Sequence, residues 1–124
     1  MRKFIVAGCI IMFLGVALGA FGAHILKDRL DTDMMDVYHT GVLYHLVHGV
    51  GLLAVGLAGR HLAAEKLVRW SGWLLIAGII LFSGSLYILA ITGVKGLGAI
   101  TPLGGVAFLA GWACLAVAAW KEKA

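Results

Sequence analysis

The sequence predicts an all-α membrane protein: four transmembrane helices in an antiparallel bundle, with both termini on the cytoplasmic side. Three observations predict it. The 124 residues are 62% hydrophobic and only 13% charged, where a soluble domain carries about 25% charged residues. Four apolar runs, Phe4–Ala23, Val37–Gly59, Trp70–Thr92 and Ala99–Trp120, contain no Asp, Glu, Lys or Arg. Each is about 20 residues long, enough for a helix to cross a hydrocarbon core of about 30 Å. The basic residues gather at the run ends on one side. Arg2, Lys3, Arg60, Lys66, Arg69, Lys121 and Lys123 flank one face, against Lys27, Arg29 and Lys95 on the other. Lys and Arg in short loops mark the cytoplasmic face. Residues 1–124 therefore read as a single four-helix transmembrane domain.

The first run follows Arg2-Lys3, as a secretory signal would. Its apolar stretch continues to Ala23, so an uncleaved first span is expected. Gly15, Gly19 and Ala23 recur at four-residue spacing, a stripe that lets another backbone approach closely. Its partner is another span of the chain or, in a homo-oligomer, a second copy. Ile25–Leu30 has apolar residues on one side and charges on the other and could lie along the outer interface. Asp31, Thr32 and Asp33 then mark a helix start, where acidic side chains suit the positive end of the dipole. Trp70, Trp73 and Trp120 sit where indoles favour the inner membrane boundary. Thr92–Gly98 is glycine-rich, and Thr101-Pro102 has the form of an N-cap followed by proline at the first helical position. Cys9 and Cys114 read as small buried apolar residues without a disulfide.

The net charge of +4 does not indicate nucleic acid, because the cations form no patch or stripe. Polarity concentrates instead in the outer half of the bundle. Tyr38, His39, Thr40, Tyr44, His45 and His48 come from the second span; Ser83, Ser85, Tyr87 and Thr92 from the third; His24 and Thr101 from the others. His45 lies ~12 Å and His48 ~16 Å below Val37 by helical rise. Polar groups in hydrocarbon turn inward and seek partners. His45 and His48 are therefore expected to meet Ser83 or Ser85. Two readings stay open: a hydrogen-bonded layer that fixes packing, and a ligand or proton site.

Metal binding is not expected, since a site needs three or four converging ligands and no span holds a carboxylate. No cofactor is expected either, although His24 and His39, at similar depth on different helices, could form an axial haem pair. No catalytic residue is assigned, because a Ser–His pair without an orienting carboxylate is an incomplete triad. A fourth helix starting at Pro102 would aim free N–H groups near Leu103–Gly105 outward, a setting that suits an anion. His24, His39 and Lys95 lie near that level. The candidate ligand-binding set is therefore His24, His39, Tyr44, His45, His48, Ser83, Ser85, Tyr87, Lys95, Thr101, Gly104 and Gly105.

Four blocks of sequence carry a family resemblance: Gly19-Ala20-Phe21-Gly22-Ala23-His24, Thr40–His48, Phe82-Ser83-Gly84-Ser85-Leu86-Tyr87 and Gly98–Gly105, with Phe108 and Gly111-Trp112 beyond. In this order, over nearly the whole chain, they resemble the small inner-membrane proteins of the YgdD/YwdK type, the domain of unknown function 423 family. The resemblance implies a four-helix multi-pass protein of the bacterial cytoplasmic (inner) membrane and carries no catalytic roles. The expected function is non-enzymatic: an outward-facing polar pocket for a small ligand, a membrane-lipid headgroup or a partner membrane protein. Transport of a small solute or proton is the alternative, and a haem or redox protein the third reading.

Overall fold

The computed structural model describes residues 1–122; Lys123, counted above among the flanking cations, lies outside them. The first helix, α1, runs Arg2–His24, and α2 runs Thr32–Ala58. The third long helix is continuous but changes pitch: α3 covers Glu65–Gly78, a π-helical segment Ile79–Ser83, and α4 Gly84–Thr92. The last helix, α5, is Thr101–Trp120. The four long helices are each long and apolar enough to cross a membrane. No strand occurs among the described residues.

Local chemistry explains the boundaries. Asp31 caps α2, its side chain accepting from the Met34 N–H at 2.8 Å, so the acidic cluster marks this start as expected. Gly93, at φ +73°, ends α4 in the left-handed conformation that glycine adopts without penalty. Lys95–Ala99 then forms a 3-10 turn with no buried residue. Proline does sit in the first turn of α5, but Ile100 occupies the cap position. Thr101 is not the N-cap; its hydroxyl bonds across to Ser85 at 2.7 Å instead. The Ile25–Leu30 segment presents one buried apolar residue to the bundle. Leu26–Asp28 forms a 3-10 turn, and Leu26 packs inward with Tyr38 and Ala90 while Lys27 and Asp28 stay exposed.

The helices pack as two antiparallel hairpins, α1 with α2 and α3–α4 with α5, joined through α2. Glycines on one helix receive large side chains from the other. Gly15 of α1 faces Leu46 and His45, and Gly49 of α2 faces Met12 and Ile11. The glycine-containing stripe of α1 is thus used inside the chain. In the second hairpin Gly111 receives Leu75, Gly78 receives Phe108 and Gly104 lies on Phe82. Close backbone approach of this kind supplies the packing that lipid, as apolar as leucine, does not otherwise favour. The main core, Phe4, Leu52, Val55, Val68, Leu75, Ile79, Phe108 and Ala118, fills the half of the bundle that holds the start of α1 and the end of α5. Cys9 is exposed on the apolar surface and Cys114 partly so, rather than both buried; both are free thiols.

Candidate functional site

The polar side chains of the spans gather beside α2, and most are spent on backbone carbonyls or on each other. His45 lies between α1 and α4: its Nε2 is 2.7 Å from the Ile11 carbonyl, and its Nδ1 is 2.8 Å from the Tyr87 hydroxyl. A carbonyl only accepts, so Nε2 carries the proton and Nδ1 accepts from Tyr87. His48 takes the other tautomer. Its Nδ1 donates to the Tyr44 carbonyl at 2.8 Å, and its Nε2 accepts from the Trp112 indole N–H at 3.0 Å. All four ring nitrogens are engaged by the protein. Among the described residues no group of three or more His, Cys, Asp or Glu is placed to hold a metal ion.

The serines find other partners than the histidines. Ser83 donates to the Gly41 carbonyl at 2.7 Å. Ser85 donates to the Phe82 carbonyl at 2.9 Å and accepts from Thr101. The expected His–Ser contact is replaced by His45–Tyr87, for a directional reason. Side chains on a helix lean toward its N-terminus. Tyr87 therefore leans down the third helix across Gly41, whose missing Cβ leaves room for the ring, and its hydroxyl arrives at His45. Tyr38 donates to the Leu18 carbonyl of α1.

Beside this layer an open groove of about 490 Å³ runs between α2 and α5, lined by Tyr44, His48, Phe82, Pro102, Gly105, Val106, Phe108, Leu109 and Trp112. Its walls are largely aromatic. The His48 ring stacks on Phe108 with centroids 3.6 Å apart, and Phe82 lies 4.4 Å from Tyr44. The π segment delivers Phe82 into this wall, and Gly104 lets α5 close on it. Gly105 differs from its neighbour: a Cβ there would have its nearest contact, the Phe82 ring, at 3.9 Å. The Tyr44 side chain is 38% exposed, and its hydroxyl makes no hydrogen bond among the described residues.

The predicted residues therefore separate into three groups. Tyr44, His48 and Gly105 line the groove; His45, Ser83, Ser85, Tyr87 and Thr101 form the bonded layer; His24, His39 and Lys95 are exposed and make no hydrogen bond to either. Gly104 presents no open backbone to an anion, because it is buried against Phe82. Sequence reasoning missed Phe82, Pro102, Val106, Phe108, Leu109 and Trp112 as lining residues. Trp112 had a usable signal. It stands two turns inside the span from Trp120, away from the interface that indoles prefer, and a buried indole N–H needs an acceptor.

Four apolar helices around an internal polar layer define a multi-pass membrane protein. Comparison with known proteins agrees: the sequence profile described as "Protein of unknown function (DUF423)" matches residues 18–105. A Bacillus subtilis relative, the UPF0382 membrane protein YwdK, is 50% identical over 121 residues, covering 98% of each chain. UPF0382 membrane proteins of Staphylococcus epidermidis and Staphylococcus saprophyticus are 46% and 44% identical over the same length, covering 98% of this chain and 98% and 99% of theirs. The chain belongs to this DUF423 family of membrane proteins. No solved structure matches it.

Proposed function

We propose that the protein is a non-catalytic binding protein of the bacterial cytoplasmic membrane, both termini inside, whose lateral groove holds an apolar membrane-resident molecule bearing one hydrogen-bonding group. The unpartnered Tyr44 hydroxyl at the aromatic groove carries this reading. A phenol at span depth gains from a partner that hydrocarbon lacks, and the groove beside it is lined by Phe82, Phe108 and Trp112. A mostly apolar pocket with few polar groups is the ordinary form of a small-molecule site. The engaged imidazoles favour binding over acid–base work, since each already uses both nitrogens.

The test compares the natural protein with Gly105→Phe and Tyr44→Phe, each purified in mild detergent. Co-purifying lipids are then identified by mass spectrometry. The expected result is one amphiphile retained by the natural protein, lost from Gly105→Phe and weakened in Tyr44→Phe. An identical lipid complement in all three overturns the reading.

A further inference from the structure

A second concavity lies at the opposite end of the molecule from the Lys95 turn, where α3 enters the apolar zone. It is about 310 Å³ and is lined by Lys66, Arg69, Trp70 and Trp73. Two spacings make it one face: Lys66 and Trp70 are four apart, as are Arg69 and Trp73. Lys3 arrives from α1, its ammonium 5.2 Å from the Trp73 ring and 5.7 Å from Phe4. Phe4 anchors this arrangement, buried against Gly72 and meeting Trp73 edge-on at 5.5 Å. Three cations thus stand beside two indoles that are about half exposed.

The charge is poorly neutralised from within. Among the described residues one ion pair occurs here, Arg69 with Glu65 at 3.6 Å, both side chains largely exposed. Such a pair holds weakly and exchanges readily for a stronger anion. Arginine presents a planar fork that fits phosphate oxygens two at a time, and lysine adds a point charge. The order along the helix matches the layers of a bilayer. Lys66 and Arg69 come first, Trp70 and Trp73 follow at headgroup depth, and an uncharged apolar run continues to Thr92.

We propose that Lys3, Lys66 and Arg69, with Trp70 and Trp73, form a binding site for the phosphate of an anionic phospholipid. The cations hold the headgroup while the indoles flank the upper acyl chains. The site is independent of the Tyr44 groove, so either can fail alone.

The test is native mass spectrometry of the full chain in detergent with added phosphatidylglycerol, or with phosphatidylcholine of the same acyl chains. Glycerol phosphate supplies the headgroup chemistry without a lipid. Four proteins are compared: natural, Lys66→Gln with Arg69→Gln, a charge-conserving Lys66→Arg with Arg69→Lys, and a charge-matched control, Lys27→Gln with Lys95→Gln, at the other end. Phosphatidylglycerol should be preferred over phosphatidylcholine. That preference should fall about fivefold for each cation removed from the proposed site and stay unchanged in the control. The charge-conserving pair Lys66→Arg with Arg69→Lys should keep most of it, which separates lost charge from lost folding. Equal losses in both Gln variants would mean diffuse charge and overturn the site. Absence of any lipid preference would also overturn it. Competition by glycerol phosphate at the concentration of the lipid would reassign the site to free anions.

Discussion

Two adjacent glycines on α5 should respond oppositely to the same mutation. A Cβ at Gly104 would lie 2.7 Å from the Phe82 Cβ and 2.8 Å from its Cα. Carbon atoms prefer about 3.5–4.0 Å, so α5 and the π segment would have to part by about 1 Å. The intruding atom meets backbone, which cannot swing aside. Overpacking of this kind costs about 1–3 kcal/mol, and the better helix propensity of alanine returns up to about 1 kcal/mol. With the full propensity gain Gly104→Ala should therefore lose about 0–2 kcal/mol. At Gly105 the nearest atom is 3.9 Å away, so Gly105→Ala meets no clash and should be neutral or gain up to about 1 kcal/mol. Unfolding followed by circular dichroism in mixed micelles of increasing denaturing detergent would measure both. Equal stabilities, or a more stable Gly104→Ala, would refute the close α5–Phe82 approach.

Ser71 is fully buried and its hydroxyl has no hydrogen-bond partner among the described residues; the same unfolding assay should find Ser71→Ala unchanged or about 1 kcal/mol more stable. Tyr87→Phe strips the donor from His45 Nδ1 and should cost about 0.6–1.7 kcal/mol; a neutral effect would mean that the pair does not form. For topology, single cysteines placed at Lys27 and Glu65 in a background lacking Cys9 and Cys114 should react differently with a membrane-impermeant maleimide applied to intact cells. Lys27→Cys should label and Glu65→Cys should not, and labelling at Glu65 would reverse the proposed orientation.

The four helices were legible because uninterrupted apolar runs have few alternative readings, and the start of α2 because Asp31 is a cap by type and position. The register between helices was not. With 18 glycines in the chain, nothing in the sequence says which large side chain enters which gap; Gly78 taking Phe108 follows from the assembled surfaces. The π segment was equally silent, since an extra residue in one turn requires no particular side chain. Depth counting did bring His45 level with the third helix's polar residues. It failed on the partner because it compared backbone levels, whereas Tyr87 reaches a long way toward its own N-terminus and Ser83 is held by the Gly41 carbonyl.

Sorting the hydroxyls of the spans by partner explains why the groove, rather than the histidine layer, is the candidate site. Lipid offers no hydrophobic drive for helix association, and interhelical hydrogen bonds in membranes contribute about 0.6 kcal/mol each on average. Here they link different helix pairs: Tyr38 and His45 join α2 to α1, Ser83 of the π segment and Tyr87 of α4 join the third long helix to α2, Thr101 joins α5 to α4, and Trp112 joins α5 to α2. Opening this layer to a ligand would break contacts on several helices at once. Thr40 and Thr92 are satisfied locally, by the Asp36 and Ile88 carbonyls. Within the four apolar runs of the described residues that leaves Ser71 and Tyr44. Ser71 is sealed in the core, where no molecule can reach it. Tyr44 stands at the edge of the aromatic groove, so it is the one span hydroxyl that can take a new partner without dismantling the bundle.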